Sequence, residues 1–245
     1  MNLPEVQAGE DFIETAADFV FRTLNDAIRQ WGLASLVLSG GGTPIALYRR
    51  LAAEPDRLDW SRTHLFWGDE RLVAPHDEGS NYGQAERTLI RHIPIPADHV
   101  RRMRGDLPAA EAVAAYAVGL REFAVAHDPG APHPWPRFSA VLLGLGEDGH
   151  TASLFPGSPV EVGDPVIAVT ADYGGRPAQR ITLTPPVFND ARRVIFLVSG
   201  GAKANAVEQT LHGKHDPERL PAQRIRPLRG TVHWFLDQTA AGKLG

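Results

Sequence analysis

The chain has 245 residues, 43% of them hydrophobic and 22% charged, with a formal net charge of −4. That is enough chain to bury a sizeable core, and no overall positive field would draw in nucleic acid or an anionic membrane surface. The absence of cysteine excludes a thiol nucleophile, a thiolate metal site and a disulfide framework.

Met1-Asn2-Leu3-Pro4-Glu5 lacks the basic and apolar regions of a signal peptide. No apolar run approaches the ~18 residues that suggest a membrane span. The expectation is a soluble, cytoplasmic protein. Over residues 10–31, Phe12, Ala16, Phe19, Val20, Leu24, Ala27 and Ile28 share one helical face, predicting an amphipathic helix that ends near Gly32. Residues 33–38 are apolar and read as the first buried strand. It runs into Ser39-Gly40-Gly41-Gly42-Thr43-Pro44, and a helix is expected from Ile45 to Leu51, with Thr43 as its cap and Pro44 at its first position. Strand, glycine turn and helix start together make a phosphate cradle, because unpaired amides and the positive end of the helix dipole face the turn. A tight turn with no ligand is the alternative. The pattern is neither a Walker loop nor a dinucleotide fingerprint.

A second strand, Thr63 to Trp67, ends in Gly68-Asp69-Glu70-Arg71. Those charges suit either a structural ion pair or an acid and a cation aimed into a site. Ser80 or Asn81 caps a helix expected to reach about His92, and the prolines at 94 and 96 hold the next residues extended. An Ala-rich helix is expected over 108–126, then a proline-rich loop over 127–136. Residues 138–143 form a short apolar run bounded by breakers, a buried strand that leads into Gly144-Leu145-Gly146-Glu147-Asp148-Gly149-His150. Thr151 is placed to cap a short helix beginning at Ala152. Strands follow at 166–170 and 180–184, with a turn at 174–177 between them, then a short segment from Pro185 to Asn189. A last pair of strands is expected at 194–198 and 231–236, and the first of these ends in Ser199-Gly200-Gly201-Ala202-Lys203 before a helix to about Leu211. Nothing in composition divides the chain, so residues 1–245 are expected to form one domain.

Loops 39–43, 144–150 and 199–203 all follow buried strands, and 68–71 ends a fourth. In a parallel sheet such ends share one edge, so the loops should converge on one site. The set gathered there is Ser39 and Thr43 with the glycine amides, Asp69, Arg71, Asp148, His150 and Lys203. It suits general acid–base chemistry on a small phosphorylated molecule: imidazole exchanges protons near neutrality, amides and lysine hold phosphate, and arginine stabilises developing oxygen charge. His212-Gly213-Lys214-His215 lacks a nearby third ligand and reads as solvated polar residues, so no metal is expected.

The glycine turn, Trp67-Gly68-Asp69-Glu70-Arg71, Ser80-Asn81, the run from Gly144 to Pro156, Arg180 to Thr184, and Ser199-Gly200 with Lys203 appear in the order of one family. On these motifs the chain strongly resembles the 6-phosphogluconolactonases. Gly201 and Phe188 are small departures outside the proposed chemistry. The resemblance implies a Rossmann-like three-layer α/β/α sandwich with a mostly parallel sheet, of the sugar-phosphate isomerase kind. It implies cofactor-free hydrolysis of 6-phospho-D-glucono-1,5-lactone to 6-phosphogluconate. His150 would be the general base, with Asp148 either catalytic or orienting. Arg71 would stabilise the oxyanion, and Asp69 would hold Arg71 or contact sugar hydroxyls. Ser39, Gly40, Gly41, Gly42, Thr43, Ser80, Asn81, Arg180 and Lys203 would bind substrate or phosphate. The rival with the same fold is glucosamine-6-phosphate deaminase, which resembles this chain at Asp-Gly-His but carries a glutamate where Phe155 stands here. A non-catalytic sugar-phosphate sensor is the rival from another class. The expected partner is the small-molecule substrate alone, with neither nucleic acid nor membrane. Oligomeric state is not readable, and a monomer is the default expectation.

Overall fold

The computed structural model describes residues 3–128, 130, 132–158, 163–171, 175 and 177–244. Residues 174 and 176 of the expected turn at 174–177, and 129 and 131 of the proline-rich loop, lie outside that set.

Helix α1 (Phe12–Trp31) buries Ala16, Val20, Leu24 and Ala27 along the predicted stripe and stops at Gly32. Strands β2 (Ala34–Leu38), β3 (Thr63–Trp67) and β5 (Ala140–Leu143) are buried at every residue, as strands covered on both faces must be. With β8 (Arg193–Val198), β9 (Thr231–Leu236) and β1 (Glu5–Ala8) they form a six-stranded, wholly parallel sheet in the order β1-β9-β8-β5-β2-β3. β1 is exposed along its length, so no apolar pattern announced it. A second sheet is antiparallel, in the order β4 (Asp69–Arg71), β7 (Gln179–Leu183), β6 (Val166–Thr170). The fold is an α/β sandwich around a mostly parallel sheet. Among the described residues no helix is long and apolar enough to cross a membrane.

Strand order positions the site. From β2 the chain moves to β3 on one side, then crosses back to β5 on the other. The carboxyl ends of β2 and β5 therefore diverge into loops on opposite sides of a crevice, where open α/β sheets bind ligands.

Three local expectations are corrected. Helix α2 spans Gly42–Ala52, with Gly41 at its cap and no side-chain capping bond; Thr43 and Pro44 already lie in its first turn. Residues 69–71 form a strand, because the chain leaving β3 pairs with β7. No helix begins at Ala152: residues 151–154 form a tight turn bridged between Thr151 and Leu154, with Ala152 left-handed at φ 50°. The Thr151 hydroxyl donates to Gly144 O at 2.8 Å instead of capping. Elsewhere α3 (Asn81–Thr88) is shorter than expected and passes into a 3₁₀ turn at Ile90–His92, while α4 (Ala109–His127), α5 (Pro185–Asp190) and α6 (Ala204–Leu211) lie close to their expected places.

His64 and Phe66, two apart on β3, share a face. Both meet Phe123 of α4, at ring separations of 4.9 and 5.0 Å, and His64 also lies 3.8 Å from the His99 ring and 5.6 Å from His127. Burial, then neighbouring His99, Arg101 and His127, push the His64 imidazole down to about 4. An unfolded histidine titrates near 6.5, so through the window from about 4 to 6.5 the unfolded chain binds a proton that the folded chain does not. Stability should therefore fall as pH drops through that window. Thermal unfolding compared at about pH 7 and pH 5 should show a lower midpoint in acid, with a smaller drop for His64→Phe. An identical drop in the variant would remove His64 as the cause.

Candidate functional site

The crevice at the carboxyl edge holds a predominantly polar cavity of about 200 Å³. Its walls come from distant segments: the glycine turn and start of α2, β4, the first residue of α3, the loop after β5, β7, and Lys203 beyond β8.

Tyr48, nine residues beyond Ser39 and buried, braces the first wall. Ser39 N donates to its hydroxyl at 2.9 Å, and the hydroxyl donates back to Ser39 O at 2.6 Å. Burial pushes this phenol's pKa well up, keeping it a neutral donor. Gly41 N donates to Gln84 Oε1, and the Thr43 and Ser199 hydroxyls are 2.7 Å apart, tying α2 to the turn after β8. A Cβ on Gly40 would overlap the Asn81 amide; only glycine lets the turn come this close. Asn81 Nδ2 donates to Asp69 O at 2.8 Å and to Asp69 Oδ1 at 3.1 Å. Both partners are acceptors, so the amide's orientation is fixed.

Alternation along β4 sends Asp69 and Arg71 to one side and Glu70 to the other. Asp69 lies in the cavity wall, 5% exposed, and its Oδ2 accepts from Ser153 Oγ at 2.7 Å. The left-handed Ala152 aims Ser153 there. Arg71 donates from Nη1 to Gly79 O at 2.6 Å, while its buried Nε has no partner. Among the described residues no ion pair joins Asp69 to Arg71, so Asp69 does not hold Arg71 as one expectation had it. Arg71 stands directly opposite Arg180 across the β4–β7 pair. Opposed residues share a face and like charges there repel, a cost that an anion in the cavity would relieve.

Glu70 stands in the sequence as one of three charges after β3, with no role of its own assigned there. It accepts from the amides of Arg71, Asn81 and Tyr82 and from Ser80 Oγ, at 2.7–3.0 Å. It therefore anchors the amino end of α3, where a helix dipole favours an anion. Burial raises its pKa, although these donors oppose the shift. A carboxylate ten residues before a Ser-Asn helix start is too loose a signal to read from sequence.

In the loop after β5, His150 Nδ1 lies 2.6 Å from Asp148 Oδ1, which also accepts from His150 N at 3.1 Å. Burial works to raise the Asp148 carboxyl, but its bonds from His150 leave it below the usual range. It is thus ionised at neutral pH and acts only as acceptor. Nδ1 must then carry the proton, which makes Nε2 the lone-pair nitrogen of the neutral ring. Phe155 packs against that ring at 4.7 Å, and the Arg180 guanidinium lies 5.2 Å from the Phe155 ring.

The cavity brings together Ser39, Gly40, Gly41, Gly42, Thr43, Asp69, Arg71, Asn81, His150, Arg180 and Lys203. Asp148 stands behind His150, outside the lining. Ser80 is not brought in: its hydroxyl accepts from Gly83 N as the α3 cap and donates to Glu70, a correction to its expected place against substrate. His212 and His215 follow α6. Among the described residues no three His, Asp or Glu side chains gather as a metal site.

The family model for glucosamine-6-phosphate isomerases and 6-phosphogluconolactonase matches residues 7–234. The chain is 41% identical to a 6-phosphogluconolactonase of Mycobacterium tuberculosis over 226 residues, covering 89% of this chain and 88% of that one. It is 39% identical to one from Synechocystis, covering 95% and 93%. The crystal structure of 6-phosphogluconolactonase from Thermotoga maritima superposes with a TM-score of 0.82 at 26% identity, over 96% of this chain and 99% of that one. A monomeric glucosamine-6-phosphate deaminase also superposes, with a TM-score of 0.79 at 22% identity over 97% and 99%, so the two activities share this fold.

A Cβ on Gly146 would overlap His150 Nδ1 and Asp148 Oδ1. Gly146→Ala should therefore break the His150–Asp148 bond with the fold intact. Imidazole nitrogen resonances of His150 would move from one tautomer to a mixture while far-ultraviolet circular dichroism stayed constant. An unchanged tautomer would mean the loop accommodates the methyl.

Proposed function

The chain belongs to the glucosamine-6-phosphate isomerase/6-phosphogluconolactonase family, and from that premise we propose that it hydrolyses 6-phospho-D-glucono-1,5-lactone to 6-phosphogluconate. The observation that carries this reading is the 2.6 Å contact between His150 Nδ1 and Asp148 Oδ1 at the edge of a cavity lined by cations and helix-start amides.

In this mechanism Nε2 of His150 takes a proton from water as its oxygen attacks the lactone carbonyl carbon. The imidazolium that forms is stabilised by Asp148 and hands the proton to the departing ring oxygen as the tetrahedral intermediate collapses. Arg71, whose Nε has no protein partner, donates to the oxyanion. Donors fixed before the reaction stabilise such charge more than mobile water does. The phosphate is held by the amides at the start of α2, with Lys203 and Arg180 as cations and the Ser39 and Thr43 hydroxyls alongside. Asp69 is locked by Ser153 and Asn81, and its acceptor-only oxygens suit sugar hydroxyls and repel phosphate.

Deamination of an amino sugar needs a further acid–base group for ring opening. Phe155, packed on the His150 ring, supplies none, so nothing in this site favours that reading.

Loss of freshly generated 6-phosphogluconolactone at mildly acidic pH, where spontaneous hydrolysis is slow, tests the assignment. Wild type should far outpace the blank, and His150→Ala should fall by roughly a hundredfold or more. Asp148→Asn should lose about tenfold or more, because the ring is left without its charged acceptor. Wild type no faster than the blank would end the lactonase reading, and a fully active His150→Ala would remove His150 as the base.

A further inference from the structure

At the opposite, amino-terminal edge of the large sheet a broad groove of about 810 Å³ opens between the last turns of α1 and the starts of β5 and β8. Six arginines line it: Arg22, Arg29, Arg137, Arg192, Arg193 and Arg229. Only Glu5 and Asp26 line it with negative charge, although the whole chain carries −4.

Three of the six are committed. Arg29 pairs with Asp26, and Arg229 pairs with Asp190 at 2.8 Å. Arg137 donates to Asp190 O at 3.1 Å and to Arg229 O at 2.6 Å, holding two loops together. Arg22, Arg192 and Arg193 have no carboxylate within ion-pair distance among the described residues. Arg193 donates only to Arg192 O. The Arg192 guanidinium lies 3.6 Å from the ring centre of Trp31, whose indole remains 43% exposed. Burial, then the charges of neighbouring arginines, lower the pKa of both Arg137 and Arg192, with Asp128 and Asp190 only partly offsetting them. The negative end of the α1 dipole accounts for cations on α1's own last turn. It does not account for Arg192 and Arg193, which enter from the residue before β8 and its first residue.

We propose that this groove is a second anion site, which takes a small polyanion of linked phosphoryl groups on Arg22, Arg192 and Arg193, beside the exposed Trp31 ring. Guanidinium groups present forked donors that match phosphoryl oxygens, and three unneutralised ones call for more than a single phosphate. The arginines gather in a compact groove on a protein of net negative charge, which favours a compact anion over a long nucleic-acid backbone. An exposed indole stacked on arginine offers a platform for a base, so the phosphoanhydride chain could be inorganic or part of a nucleotide.

Calorimetric titration at low ionic strength, with inorganic tripolyphosphate and separately with ATP, tests this on wild type, Arg22→Gln/Arg193→Gln and Lys203→Gln. Wild type and Lys203→Gln should share one tripolyphosphate-binding event of like affinity, apart from any event the carboxyl-edge cavity adds in wild type, and in the double arginine variant that shared event should be about tenfold or more weaker. Equal affinity for the two probes would assign recognition to the phosphate chain. Tighter ATP binding that is lost in Trp31→Leu would assign it to a nucleotide. No binding to wild type, undiminished binding by the double arginine variant, or loss of binding in Lys203→Gln would overturn the proposal; the last would place the anion in the carboxyl-edge cavity.

Discussion

At the carboxyl edge of the large sheet the Asn81 amide occupies the space a side chain on Gly40 would need, and from there it holds Asp69 by both carbonyl and carboxylate. This close approach sets the rest of the cavity. Asn81 is placed because Glu70 gathers the amino end of α3, and Asp69 in turn receives Ser153 from the loop that also carries His150. The start of α3 and the loop after β5 are thus joined to β4 by hydrogen bonds to neighbouring carboxylates that alternate across that short strand, and the glycine turn packs against Asn81. A buried carboxylate with several fixed donors restricts position more tightly than an apolar contact would, because losing any donor leaves an uncompensated group.

The same edge gathers positive charge. Arg71 faces Arg180 across β4 and β7, with Lys203 and the open amides of α2 nearby. Such a concentration of donors suits an anion, and it is local: the chain as a whole is acidic. The imidazole side of the cavity answers a different need, because Asp148 fixes the tautomer of His150 and takes no place in the lining. In the proposed hydrolysis one half of the cavity therefore holds charge and the other moves a proton.

Much of this architecture was legible in the sequence. The apolar runs at 33–38, 63–67, 138–143 and 194–198 are buried strands because burial on both faces leaves no polar alternation, and glycine-rich turns mark their ends. What escaped notice has physical reasons. β1 is exposed and joins the sheet through backbone bonds and the Glu5–His233 contact, neither of which an apolar pattern reports. Thr151 looks like a helix cap, yet its hydroxyl closes the loop to Gly144 and Ala152 turns left-handed, a tertiary outcome that overrides local propensity. Ser80 reads from the sequence as a cap of α3, which it is, while its expected place against substrate rests on the resemblance alone; its hydroxyl is spent on Glu70 and its own helix. Glu70 itself was hidden between two more conspicuous charges, because only the alternation of β4 separates its role from theirs.

The bonds that assemble the cavity span long stretches of chain: 84 residues from Asp69 to Ser153 and 156 from Thr43 to Ser199. Closing such loops costs entropy before any contact rewards it, so contacts of this range weigh against fast folding. During synthesis the α2 turn and β4 leave the ribosome well before Ser153, Arg180 and Lys203 exist to meet them. Until β8 pairs beside β5, the amino-terminal half exposes a sheet edge and a row of polar groups without partners, an arrangement open to aggregation. The cavity therefore waits on the carboxyl-terminal half of the chain for its completion, and the β1–β9 pair, which joins the two ends of the chain, waits longer still.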